Sequence, residues 1–327
     1  MDTSPQQQAG DGPPVVVGVD GSPAARAALA VALGAAADRA ARLVVLSSYA
    51  GDLYWLGGAG GVAPVVEDVA AATRRLAEDL LAAVRAEGAG AAGVPVTVEV
   101  VPDPPAVGLV ARSEEAQLVV VGSRGRGAVR SALLGSVALH TVTHARCPVL
   151  VVHPRAAAPA GPPRVVVGFD GSPASRAALS AAVEEAARTG AQVDVVASFV
   201  LADTWVDLSS VVPPSRDEVR DDLRAKAEEA VDAVLADRPP DAAVPRVDVE
   251  VVEGGASDVL VARARDAALL VVASRGHGAV RGLLVGSVAL HCVMHAACPV
   301  LVVPVARRAE PAPAAASAGV DTAPAPA

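Results

Sequence analysis

The sequence predicts an α/β protein made of two tandem doubly wound domains. Each is read as a five-stranded parallel sheet with helices on both faces. Three observations carry this. First, the chain of 327 residues repeats itself: "VVVGVDGSPAARAAL" at 15–29 returns as "VVVGFDGSPASRAAL" at 165–179, matching at 13 of 15 positions. Residues 122–152 and 273–303 match at 23 of 31. Second, short apolar runs alternate with helical patterns inside each copy, which is the signature of a parallel sheet wrapped by helices. Third, hydrophobic residues make up 52% of the chain but aromatics only 2%. The core must be aliphatic, which suits buried Val and Leu strands under Ala-rich helices.

The elements of the first copy follow in order. "VVVGV" at 15–19 is a β-branched run stopped by Asp-Gly-Ser-Pro, so a buried strand. Ser22 then stands at a helix N-cap with Pro23 in the first turn. "LVVLSS" at 43–48 is the second strand, and residues 65–88 form an amphipathic helix ending at glycine. "VPVTVEVV" at 94–101 alternates as a strand; 106–116 reads as a helix and "LVVVG" at 118–122 as the fourth strand. A short helix over 135–145 and "PVLVV" at 148–152 complete the set. The second copy repeats this order.

The predicted boundaries are a disordered 1–13, a first domain over 14–153, a linker over 154–163, a second domain over 164–304 and a disordered tail over 305–327. The linker and tail are rich in Pro and Ala and carry no periodicity. A repeat of about 140 residues is too long for a solenoid unit and normal for a domain. The net charge of −9 gives no footprint for general nucleic-acid binding. No basic segment followed by an apolar core opens the chain, and no run approaches a membrane span of about 20 apolar residues. A soluble, cytoplasmic protein without nucleic-acid or membrane partners is expected. Cys147, Cys292 and Cys298 form no CxxC pair and read as small buried residues in a reducing compartment.

The glycines carry the chemistry. In an open α/β sheet, ligands sit beyond the carboxyl ends of the strands where strand order reverses. There the first strand runs into Asp20-Gly21-Ser22 and the fourth into Gly122-Ser123-Arg124-Gly125. Gly122 and Gly125 would let backbone N–H groups approach an anion, and Ser136 after Gly135 is expected to cap a helix whose start favours phosphate. Asp20 suits a ribose hydroxyl or a water on a cation such as Mg2+. Neither the dinucleotide fingerprint nor the phosphate loop ending in Gly-Lys-Ser/Thr is present.

The pattern Gly122-x2-Gly125-x9-Gly135-Ser136 resembles the ATP-binding motif of the universal stress protein family. "VGVDGS", "GSRGRG", "LLGSV" and "CPVLVV" follow in family order. Both copies carry the resemblance, and the whole looks like a tandem actinobacterial member with an adenine nucleotide alpha hydrolase-like, Rossmann-like fold. The resemblance implies an ATP site with Mg2+ in each half and a nucleotide-dependent regulator of stress response or dormancy. It places Asp20 and Asp170 at the nucleoside, the backbone near Ser48 and Ser198 at adenine, and Gly122, Gly125, Gly135, Ser136, Gly276, Gly286 and Ser287 around phosphates. Ala273 replaces Gly122 in the second copy, so a methyl crowding phosphate and weaker binding are expected there. Gly254 matches the family's glycine after the third strand better than Asp103 does. The family also pairs its last strands across a two-fold, so a homodimer or an intramolecular pseudo-dimer is expected, with an unidentified protein partner.

Weaker signals stay open. Arg124, Arg126 and Arg130 could reach phosphate or form a solvated turn, and His277 replaces Arg126 in the second copy. Trp55 and Trp205 occupy long segments readable as lids or as packing over a helix base. His140 with His144, and His291 with His295, have a spacing that can bind zinc, but no third ligand is apparent and no metal site is assigned. The rival functions are a slow ATPase or nucleotide-transfer enzyme, for which Asp20 is the one candidate base, and a nucleotide-free dimeric scaffold.

Overall fold

The computed structural model describes residues 12–49, 63–88, 93–126, 134–154, 161–201, 215–276 and 285–305, and of 63–66 the backbone alone. The expectations for Trp55, Trp205, Arg130 and His277 lie outside the described residues. The first copy contains β1 (Val15–Gly18), α1 (Pro23–Asp38), β2 (Leu43–Ser48), α2 (Ala63–Ala86), β3 (Val96–Val101), α3 (Pro105–Arg112), β4 (Leu118–Gly122), α4 (Ser136–His144) and β5 (Val149–Val152). The second repeats the order with β6 (Arg164–Phe169), α5 (Pro173–Thr189), β7 (Gln192–Phe199), α6 (Arg216–Ala236), β8 (Val247–Glu253), α7 (Ala256–Arg263), β9 (Leu269–Ala273), α8 (Ser287–His295) and β10 (Val300–Val303).

Within each copy all strand pairs are parallel, with β1 between β2 and β4, and β6 between β7 and β9. The two sheets join. Strand β5 pairs antiparallel with β10, Leu150 opposite Leu301, giving one ten-stranded sheet in the order β3-β2-β1-β4-β5-β10-β9-β6-β7-β8. The last strands thus cover each other's edges within one chain, which removes two unpaired edges at once.

Alternation along each strand builds two aliphatic layers. Val15, Val17, Leu43, Val45 and Val120 pack under α1 and α2, and their counterparts under α5 and α6. Val16, Val44, Leu46, Val119 and Val121 pack under α3 and α4, with the matching layer under α7 and α8. The three cysteines are buried as expected. Burial pushes the thiols of Cys147 and Cys292 up to about 12 and that of Cys298 to about 11.

Candidate nucleotide cleft

The order reverses between β1 and β4, so the turns after these strands open into one cleft, and β6 with β9 repeats it. The first cleft measures about 420 Å³ and the second about 210 Å³. Asp20, Ser48, Gly122, Arg124, Gly125, Gly135 and Ser136 all line the first. Asp170, Ser198, Ala273, Gly276, Gly286 and Ser287 line the second. Gly254 does not line it. It follows β8 at φ +150, donating its N–H to Phe199 O at 2.8 Å, and Asp103 in the first copy takes no such positive φ.

Asp20 staples the two turns together. Its Oδ1 accepts the N–H of Ser22 at 2.9 Å and its Oδ2 accepts the N–H of Arg126 at 2.8 Å. Burial works against the charge, but these hydrogen bonds, with the Ser22 hydroxyl and the Arg126 guanidinium, prevail and hold the carboxyl below its ordinary value of 3.8. Asp170 accepts the N–H of Ser172 at 2.9 Å in the same way. Gly125 is needed beside this carboxylate, because a Cβ there would stand 2.6 Å from Asp20 Oδ2. Gly276 leaves the same room beside Asp170.

Two expectations change on structural grounds. Ser136 is the first residue of α4 and not its cap. Gly135 occupies the cap and, having no side chain, gives α4 no side-chain cap hydrogen bond. Gly286 and Ser287 repeat this on α8. By contrast, Ser22 and Ser172 do cap α1 and α5, each accepting a backbone N–H at 3.1 Å. Gly135 gives its N–H to Ser123 O at 2.8 Å, and α4 from Ser136 on lines the cleft with no capping side chain. The second change concerns Gly122. A Cβ there would point at α1, 2.8 Å from the backbone carbon of Ala24. This glycine permits close strand–helix packing. Ala273 packs in part against the core layer under α5 and also lines the second cleft.

The inner wall of the first cleft is apolar: Leu46, Leu109, Val121 and Ala138 line it. Sequence reasoning did not single these out. The signal available was Gly18 inside a strand, where a Cβ would meet Leu109 Cδ1 at 3.0 Å. Arg126 also lines this cleft, and its guanidinium lies over Gly21, at φ +77. His140 and His144 stack with ring centroids 4.1 Å apart, and His291 lies 3.5 Å from Asp258. Among the described residues no group of three or more His, Cys, Asp or Glu is placed to hold a metal ion.

Known proteins of the same pattern exist. The Universal stress protein family matches residues 13–153 and again 162–304. A universal stress protein of Mycobacterium tuberculosis (strain ATCC 25618 / H37Rv) is 34% identical over 296 residues, covering 88% of this chain and 95% of that protein. One of Mycolicibacterium smegmatis is 39% identical over 215 residues, 64% of this chain and 69% of its own length. The crystal structure of a universal stress protein from Archaeoglobus fulgidus shares the fold, with a TM-score of 0.61 at 20% identity over 91% of this chain and 99% of that chain.

Proposed function

The chain belongs to the universal stress protein family, and from that premise we propose that its clefts bind adenine nucleotide, ATP with Mg2+, and that occupancy makes the protein a nucleotide-dependent regulator of stress response or dormancy in the cytoplasm. One observation carries the reading. The start of α4, without a capping side chain, opens into a cleft with an apolar inner wall, and the arrangement recurs on α8. A helix start without a cap offers N–H donors and a positive dipole end to phosphate. Leu46, Leu109 and Val121 offer a flat base apolar surface.

The predicted residues other than Gly122, Gly254 and Ala273 then have tasks. Ser136 and the N–H groups after it receive phosphate oxygens, while Gly135 gives its own N–H to Ser123 O at 2.8 Å and leaves the approach free of a side chain. Arg124 and Arg126 add positive charge, and Ser48 at the end of β2 faces the base. Asp20 holds the β1 and β4 turns in register, leaving lone pairs for a ribose hydroxyl. Gly125 makes room for that carboxylate. Asp170, Ser198, Gly276, Gly286 and Ser287 repeat these roles in the second half.

A role in hydrolysis is poorly served. Asp20 is the one carboxylate among the described residues lining the first cleft, and both its oxygens already accept N–H groups. A carboxyl held below its ordinary value is a weak base. The test is to denature the purified protein and identify released nucleotide by mass spectrometry. Adenine nucleotide is expected. A protein that carries none and binds none when supplied with ATP and Mg2+ contradicts the reading and leaves the scaffold.

A further inference from the structure

The two clefts are built from one pattern, but they differ in size and charge. The first, at about 420 Å³, lies within the range of about 300–1,000 Å³ in which small ligands and cofactors are held. The second, at about 210 Å³, is half that size. The linings differ accordingly. Phe169 takes the place of Val19, and Ser175 that of Ala25. Arg124 is exposed in the first cleft, whereas Arg275 is drawn inward in the second. Its Nε is buried without a hydrogen-bond partner among the described residues. Among the described residues the lining of the first cleft holds two guanidinium groups, Arg124 and Arg126, and that of the second holds Arg275. In the sequence His277 stands at the position of Arg126.

Volume and charge point the same way. A triphosphate needs more room and more compensating charge than a monophosphate. A buried guanidinium N–H without a partner costs stability unless an acceptor reaches it. We infer that the two halves divide their ligands: the first cleft takes the nucleoside triphosphate, and the second selects an adenine nucleoside monophosphate, whose single phosphate reaches Arg275 and the start of α8. This rests on the proposed nucleotide binding and adds the ligand each half prefers.

The test isolates each cleft. Ser136 and Ser287 are exposed first residues of their helices. A carboxylate is favourable for a helix at that position but repels phosphate. Nucleotide-stripped parent, Ser136→Glu and Ser287→Glu proteins are titrated calorimetrically with AMP, and with ATP plus Mg2+. Unchanged circular dichroism and thermal midpoints confirm the fold. The expected result is that Ser136→Glu protein binds AMP at least about tenfold tighter than ATP, and Ser287→Glu protein the reverse. Two equivalents of ATP in the parent, or equal preference in both variants, overturn the division while nucleotide binding stands. So does Ser136→Glu protein that binds no AMP. A parent that binds neither nucleotide overturns both.

Discussion

At the residue scale, Gly122 and Gly125 are three positions apart yet serve different contacts. Gly125 leaves space for the Asp20 carboxylate, and Gly122 lets α1 lie against β4. A Cβ on Gly122 must push the Ala24 backbone, and overpacking of that kind typically costs about 1–3 kcal/mol. Gly122→Ala is therefore expected to lower unfolding free energy by about that amount in urea titrations. Ala273→Gly should leave nucleotide affinity in the second half unchanged if the Ala273 methyl takes the direction found at Gly122, since Ala273 packs against the core layer under α5 as well as lining the second cleft. A rise in second-site affinity in Ala273→Gly would restore the phosphate role. The glycine spacing was legible in the sequence, but the direction of a missing Cβ was not. That direction depends on how closely α1 approaches the sheet, and nothing local to residues 122–125 encodes it. For the same reason the apolar wall of Leu46, Leu109 and Val121 is recognisable only once the strands are ordered.

At the element scale, two kinds of helix start do different work. Ser22 and Ser172 close the starts of α1 and α5 with their own hydroxyls. Gly135 and Gly286 leave α4 and α8 without such a bond. Ser22→Ala is expected to lower stability by about 1 kcal/mol, within the usual range for a lost cap. Ser136→Ala should be near neutral in the absence of nucleotide. Equal losses in chemical denaturation would mean that Ser136 caps its helix after all. The strands and helices themselves were readable because aliphatic runs and helical periods alternate without ambiguity. Their ends moved by a few residues, as at α3, which stops at Arg112 where the pattern extends to 116. Gly-Ser before a helix reads as a cap in sequence, and the backbone decides which of the two residues holds that place.

At the scale of the whole molecule, the halves are joined by β5 against β10 and by asymmetric contacts beside that seam. Arg39 at the end of α1 pairs with Glu185 of α5, with side chains only 7% and 15% exposed. His153, after β5, hydrogen-bonds through Nε2 to Val293 O on α8 at 2.9 Å. Its Nδ1 is buried without a partner among the described residues. Burial favours the neutral ring and, with the Arg124 charge nearby, lowers its pKa from 6.5 despite the hydrogen bond to Val293. The unfolded chain then binds more protons below that value, so stability contributed by His153 is full above 6.5 and falls as pH drops through the window beneath it. Parent protein should lose stability from pH 7 toward 5 more steeply than His153→Gln, read as thermal midpoints across that range. Parallel slopes would remove His153 from the account. Duplication made this architecture legible in the sequence, since two copies with complementary last strands can close on each other. The contacts of Arg39 and His153 were not, because their partners lie in the other copy at positions the repeat does not relate.

The account depends most on nucleotide sitting at the start of α4. The measurement that tests it most directly is calorimetric titration of ATP with Mg2+ into nucleotide-stripped parent and Ser287→Glu/Ser136→Glu double-variant proteins, with thermal midpoints recorded without ligand. The account predicts saturable binding in the parent and its loss in the double variant at an unchanged midpoint. Absence of binding in the parent, or equal binding in both proteins, would contradict it.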